Sequence, residues 1–204
     1  MRTIIYSINI LFLSMIFLGC SLQTTVPASS KYMLNAHAEV TPIAESLYKD
    51  KVLRVGRMES SALLAGRSIY YEVENGRSYS YTKARWMESV PQQLTNLIMI
   101  SLTKTEIFKD VIPFRSLAKN DLILETSLYS FTQTIQEDGN STLNVAMKVR
   151  LVEQYSRKII ANRLFELKKE GVNGDSVGAT EGYQELSDQL LSEINSWLEE
   201  SCTQ

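Results

Sequence analysis

Histidine is nearly missing from this chain. His37 is the one example in 204 residues, and cysteine occurs only as Cys20 and Cys202. A structural zinc site needs four Cys or His ligands at close spacing, and these three residues do not supply one. A Ser-His-Asp arrangement would have to use His37, and no GxSxG elbow accompanies it. His37 therefore reads as an exposed bystander beside a linker. No GxxxxGK phosphate loop is present either. Lys and Arg total 21 against 23 Asp and Glu, for a net charge of −2 with no basic block. That balance argues against nucleic-acid binding, which needs a concentrated positive surface. Long apolar runs are equally scarce. The one that exists, Ile4 to Leu18, spans roughly 15 residues, against the roughly 20 that a membrane-crossing helix needs.

That run has the layout of a secretory signal peptide. Arg2 precedes it, Ser7, Asn9 and Ser14 interrupt it, and Gly19 closes it before the chain turns polar. An ordinary signal-peptidase site prefers small residues one and three positions before the cut, and Phe17 fits the second of these poorly. Phe17-Leu18-Gly19-Cys20 instead resembles the lipobox of bacterial lipoproteins, with cleavage after Gly19 and lipidation of the Cys20 thiol. Two or more acyl chains anchor a protein stably, at about 0.8 kcal/mol per buried CH₂. Cys20 is thus expected to be a membrane anchor, and residues 1–19 a lipoprotein signal peptide. With Arg2 removed, the net charge of residues 20–204 becomes −3. Cys202 is left without a partner in the chain, third from the end, where fraying is expected.

Residues 20–31 carry the lipidated Cys and a Ser/Thr-rich stretch, SLQTTVPASSK, that reads as a tether. Residues 32–204 read as one domain. Short strands are expected at Tyr32 to Leu34 and Val52 to Met58. Ile69 to Val73 and Arg77 to Tyr81 flank Glu74-Asn75-Gly76, a strong hairpin signal for which a type I′ turn is expected. Ser89 is placed to cap a helix, with Pro91 in its first turn and Gln92 at the capping-box position. Val90, Leu94, Leu97, Ile98, Ser101 and Leu102 then recur at helical spacing. Phe108 to Ile112 reads as a short strand or connector. Leu122 to Ile135 and Leu143 to Leu151 form two long strands around a turn at Glu137-Asp138-Gly139-Asn140, and Ile159 to Leu167 a third. A last helix starts near Ser176 and places Ala179, Tyr183, Leu186, Leu190, Ile194 and Trp197 on one face. The expected fold is α+β: a single two-layer domain whose largely antiparallel sheet is covered by two amphipathic helices.

Few residues suggest chemistry. Glu72 and Glu74 fall on one face of a predicted strand and read as solvated charges. Gly171 to Gly174 has GxxG spacing but follows a strand, so a turn is the expectation rather than a nucleic-acid clamp. Gly178 and Gly182 cost about 1 kcal/mol each in a helix, which a close approach to the sheet would justify. Tyr70, Tyr71, Tyr79, Tyr81 and Trp86 admit two readings. One is a set of cross-strand pairs that stabilise the hairpin. The other is an exposed apolar surface for lipid or a partner, with Tyr79, Tyr81 and Trp86 as its candidates. No catalytic residue, metal ligand or cofactor site is expected.

The stretch from Ile69 to Ile112 holds a Tyr-rich hairpin, Arg85-Trp86-Met87-Glu88, a Pro-started helix and Phe108-Lys109-Asp110-Val111. With Tyr32-Met33-Leu34 before it and Trp197-Leu198 closing the last helix, this order resembles the ABC-type transport auxiliary lipoproteins of the PqiC kind. The resemblance implies a non-enzymatic envelope component, lipid-anchored at the periplasmic face of the outer membrane. It would be associated with MCE proteins that move lipids between membranes, and it leaves lipid contact and homo-oligomerisation open. Ser21 after the cysteine accords with outer-membrane sorting. The alternative is a structural or assembly lipoprotein serving lipopolysaccharide or the cell wall. A lipid-anchored hydrolase is the reading that the single histidine disfavours.

The anchor is directly testable. Cys20→Ala is expected to abolish acylation and leave the precursor uncut, which intact-mass measurement of the membrane fraction would show. Normal processing and unchanged membrane association of that variant would remove the lipoprotein reading.

Overall fold

The computed structural model describes residues 29–203 apart from 36, 38 and 44. Gly19 and Cys20 lie outside the described residues. The elements, in chain order, are β1 (Ser30–Tyr32), β2 (Val52–Val55), β3 (Glu59–Ser60), β4 (Ser68–Val73), β5 (Ser78–Trp86), α1 (Val90–Thr105), β6 (Asp110–Pro113), β7 (Leu122–Ile135), β8 (Asn140–Glu153), β9 (Ile159–Asn173) and α2 (Ser176–Thr203). The α+β expectation holds, with nine strands in one sheet and a single helical layer among the described residues.

Sequence alternation dictates the central ladder. Leu143, Val145, Met147, Val149 and Leu151 of β8 are all buried, while Asn144, Ala146, Lys148 and Arg150 between them are half-buried on the opposite face. β8 runs antiparallel between β7 and β9. These two long antiparallel ladders, with the β4–β5 hairpin, make up most of the sheet. The far edge of β7 was not legible in advance. There β2, β3 and β4 pair in succession, all parallel to β7, so one 14-residue strand templates three short ones. β6 extends β2 and β1 extends β5, both in parallel.

The hairpin at Glu74 to Gly76 is present, but its turn is not type I′. Gly76 has φ +77°, whereas Asn75 is not among the positive-φ residues. The Gly76 amide donates to the Val73 carbonyl at 2.8 Å and the Val73 amide to the Arg77 carbonyl at 3.1 Å. This is the three-residue loop in which a type I turn is followed by a left-handed glycine. Gln136 to Asn140 repeats it, with Gly139 at φ +84°. β9 also runs further than expected, to Asn173, because a register shift opposite Ser141–Leu143 absorbs Gly171 at φ +68° without ending the strand.

Both helices bury the stripes read from their spacing. α2 lies against β8 and β9, and α1 packs beside it and against β6. Ser89 occupies the N-cap of α1 without a side-chain cap bond, so the expected capping box does not form. The neighbouring Gln93 is buried instead. Its Nε2 donates to the Glu88 carbonyl at 2.8 Å, and its Oε1 accepts from the Leu34 amide at 2.7 Å. Asp175 caps α2, its Oδ1 accepting from the Val177 and Gly178 amides at 3.0 and 2.8 Å. Between the layers, Phe131 stacks on Tyr183 at 4.0 Å, and Trp86 meets both rings at 6.2 Å. Such pairs contribute about 0.5–1.5 kcal/mol each beyond their buried area.

The two helical glycines sit where α2 touches the sheet. A Cβ on Gly178 would lie 2.6 Å from the Asn173 carbonyl oxygen, and one on Gly182 would lie 2.4 Å from Leu143 Cδ1. In an exposed helix, Gly→Ala would stabilise by about 1 kcal/mol. Here Gly178→Ala is expected to destabilise by about 1–3 kcal/mol, because the obstructing atom is main chain, and Gly182→Ala by less, because Leu143 can turn. Urea unfolding of the two variants checks the order. A stabilised Gly178→Ala would refute the close approach.

Candidate functional site

The described chain enters the fold through β1, which lies along β5 with Lys31 beside Arg85 and Tyr32 beside Trp86. From there the described residues between Met33 and Leu47 cross the helices as a strap held by its backbone. The Leu34, Asn35 and His37 amides donate to Gln93 Oε1, Gln184 Oε1 and Asp188 Oδ1 at 2.7, 2.8 and 2.9 Å. Further on, the Ile43 amide donates to the Thr105 carbonyl and the Leu47 amide to the Cys202 carbonyl. His37 is exposed, with its ring Nδ1 3.6 Å from Asp188 Oδ2. Its visible role is to fasten the strap to α2.

The five aromatic residues of the hairpin separate into three environments. Tyr71 stacks on Tyr79 at 5.6 Å and meets Tyr81 at 4.8 Å, so cross-strand pairing is present. Tyr79 is 41% exposed and forms a surface. Tyr81 is half-buried, and its hydroxyl donates to Gln133 Oε1 at 2.8 Å. Burial first, then the Asp175 carboxylate and Tyr71, push the Tyr81 phenol up to about 12. Trp86 is only 2% exposed and packs in the core. Ala84 and Trp86 are buried while Lys83 and Arg85 are exposed, the alternation of a strand, and Trp86 stands an odd number of positions from Tyr79 and Tyr81 and so belongs to the other face. Trp86 is therefore a core residue rather than part of an exposed surface. Glu72 and Glu74 are also separated: Glu72 is in β4 and accepts from Ser78 Oγ at 3.2 Å, while Glu74 is in the loop.

One feature of the surface had no local signal. An open groove of about 930 Å³ runs between the outer side of α1, the β2–β3 connection and the end of β6. Val55, Met58, Pro91, Met99 and Phe114 give it apolar walls, and Arg57 and Arg115 stand at it. The Arg115 guanidinium lies 5.1 Å above the Phe114 ring. Glu59 is the one acid in the lining, and its Oε2 accepts from Ser127 Oγ at 3.3 Å. Such a groove suits a contact surface, with apolar walls and arginines beside them. Its residues come from three separated segments, which is why periodicity and spacing could not reveal it. Among the described residues no cluster of three His, Cys, Asp or Glu could hold a metal ion, and no helix is long and apolar enough to cross a membrane.

A single open-sheet α+β domain with a contact groove defines the structural class. Sequence comparison then identifies the family: the chain belongs to the ABC-type transport auxiliary lipoprotein components, whose family model matches residues 32–195. No curated protein matches it in sequence. Among the crystal structures that match are two that share the fold. One, a protein of family DUF330 from Xanthomonas campestris, superposes with a TM-score of 0.73 at 14% identity, covering 84% of this chain and 96% of that one. The other, an uncharacterised protein, gives a TM-score of 0.62 at 15% identity, covering 84% and 99%.

Cys202 does not fray. It is fully buried in α2, which continues to Thr203, and burial pushes its thiol up to about 12 from an ordinary 9.0. It is therefore expected to resist iodoacetamide in the native protein at pH 8 and to react fully in denaturant, as mass spectrometry would show. Because the folded protein holds this proton more tightly, the contribution to stability is intact below about pH 9 and lost as pH rises toward about 12. Rapid native alkylation would contradict the burial.

Proposed function

We propose that this chain is the lipid-anchored docking subunit of an intermembrane lipid-transport machine. In this reading Cys20 fixes it to the outer membrane and the domain stands on the periplasmic side. There it engages an MCE-type protein and works by binding, without bond chemistry. One observation carries the reading: the family match starts at Tyr32, shortly after the lipobox cysteine, and runs through the sheet and both helices to within α2. An auxiliary component of a transporter acts through partners, and the groove beside α1 with the exposed Tyr79 offers the mixed apolar and arginine-bearing surface that partners use. Contact with lipid and self-association belong to the same proposal.

Affinity purification of the full-length protein from crosslinked membranes, with mass spectrometry of what comes with it, tests it. An MCE-type protein is expected among the products. Recovery of only lipopolysaccharide- or cell-wall-assembly proteins would overturn the transport role in favour of an assembly lipoprotein.

A further inference from the structure

Four cations with no ion-pair partner among the described residues surround Ser29. Ser29 Oγ accepts from Arg85 Nε at 3.4 Å. Across the parallel ladder Lys31 is the direct neighbour of Arg85, and on the other side of β5 Arg85 pairs with Ser68. Arg67 precedes Ser68, and its carbonyl accepts from the Trp86 amide at 2.7 Å. Ser29, Arg67 and Arg85 line one open recess of about 310 Å³. Lys83 stands two positions before Arg85 on β5. All four basic side chains are exposed. None takes part in the ion pairs found among the described residues, and Glu88, three positions past Arg85, does not pair with it.

Such an arrangement works against folding, because like charges directly opposite on neighbouring strands destabilise a sheet. Composition does not explain it, since the chain as a whole is acidic. Nor does the rest of the hairpin compensate. Glu72 lies four positions along β4 from Ser68, the partner of Arg85, on the order of 13 Å away at about 3.3 Å per residue. The screening length at physiological salt is only about 8 Å.

The same face is also apolar. The Met87 amide donates to the Tyr32 carbonyl at 2.8 Å, which continues the ladder and brings Met33 beside Met87. Both methionines are exposed, at 51% and 47%, while Leu34, Ala84 and Trp86 alternate with this face and are buried. Lys31 and Met33 on one strand therefore lie next to Arg85 and Met87 on the other.

We propose that Lys31, Arg67, Lys83 and Arg85, with Met33 and Met87, form a seat for the anionic headgroups of the membrane that holds Cys20. The proposal rests on the anchor reading above. Nine positions separate Cys20 from Ser29, a reach of at most about 30 Å even when extended. The seat is thus the part of the fold beside which the tether ends. Near an anionic surface each Lys or Arg strengthens binding about fivefold. The methionines enter the interface while the long basic side chains reach the phosphates. Seating fixes which face of the domain turns toward the bilayer, and the net negative remainder turns away from it.

The test uses the full-length acylated protein on vesicles of phosphatidylcholine alone or with about one third phosphatidylglycerol, a surface dense enough for the effect of basic side chains. Lysine acetylation is followed by peptide mass spectrometry. Lys31 and Lys83 are expected to react at least about fivefold more slowly on the anionic vesicles. Lys109 and Lys119, near β6 at the opposite edge of the sheet, are expected to react equally on both. Salt at roughly 0.5 M should erase the difference, and Arg67→Gln/Arg85→Gln should shrink it. The lipid and salt comparisons need only the native protein, so they stand even if that variant is unstable. Equal rates on both vesicles, with protein attached to both, would overturn the seat and leave the anchor intact. Absence of acyl mass on Cys20, with no flotation on phosphatidylcholine, would overturn the anchor and the seat together.

Discussion

The fold depends on β7 keeping its register. Both of its edges are hydrogen-bonded, to β8 along nearly the whole strand and to β2, β3 and β4 in series. A slip of one residue would turn its buried Leu122, Leu124 and Leu128 to the opposite face. Gln133 guards against this from inside the fold. Fully buried, it donates through Nε2 to Ser141 Oγ at 2.8 Å and to the Asn173 carbonyl at 3.1 Å, and it accepts from Tyr81 at 2.8 Å. One amide thereby joins β5, β7, β8 and β9. In any other register its donors and acceptor would be buried without partners, at roughly 1–3 kcal/mol for such a group. Arg54 does the equivalent at the opposite end. Its guanidinium donates to Asn120 Oδ1 and to the carbonyls of Phe114, Ser116 and Ala118, gathering the β6–β7 loop against β2.

With β7 held, the helical layer follows from contact rather than from intrinsic helix stability. Gly178 and Gly182 let α2 approach β8 and β9, and the stacked Phe131 and Tyr183 rings set its rotation over the sheet. Farther along, Phe165 meets Trp197 edge-on at 5.9 Å. α1 gains no side-chain cap at Ser89 and spends its buried Gln93 on the strap, so its N-terminus is ordered by what crosses it.

How much of this could be read from the sequence depends on the range of the interaction. The helical stripes and the alternation in β8 were legible because a single helix or strand decides them. The hairpin was legible as a hairpin, but its turn was not, since Asn-Gly also serves a three-residue loop when the glycine alone takes positive φ. The parallel pairing of β2, β3 and β4 along β7 joins segments far apart in the chain, and no local signal exists for it. Trp86 was grouped with Tyr79 and Tyr81 by residue type, although it stands an odd number of positions from both and strand alternation turns it to the buried face. Cys202 was assigned to a fraying end, yet Leu47 folds back to bond its carbonyl and α2 continues past it. Of the contact surfaces, Tyr79 was visible in the sequence. The groove beside α1 and the cation face at β1 and β5 exist only once distant segments meet.

In the proposed arrangement, these features bear on how a subunit that works by binding can serve a transport assembly. Such a subunit has to hold a position, so what matters is where the load from its anchor enters the fold. Here the chain passes from the tether directly into β1, which is bonded to the β5 ladder, and then into a strap tied across both helices. A pull from the membrane side is met by several hydrogen bonds in different elements, including the link from Leu34 through Gln93 to the start of α1. The groove beside α1 borders that same helix start through Ser89, Pro91 and Gln92. Anchor side and contact surface therefore share one rigid element, so the orientation of the domain on the membrane also sets the direction in which the groove faces.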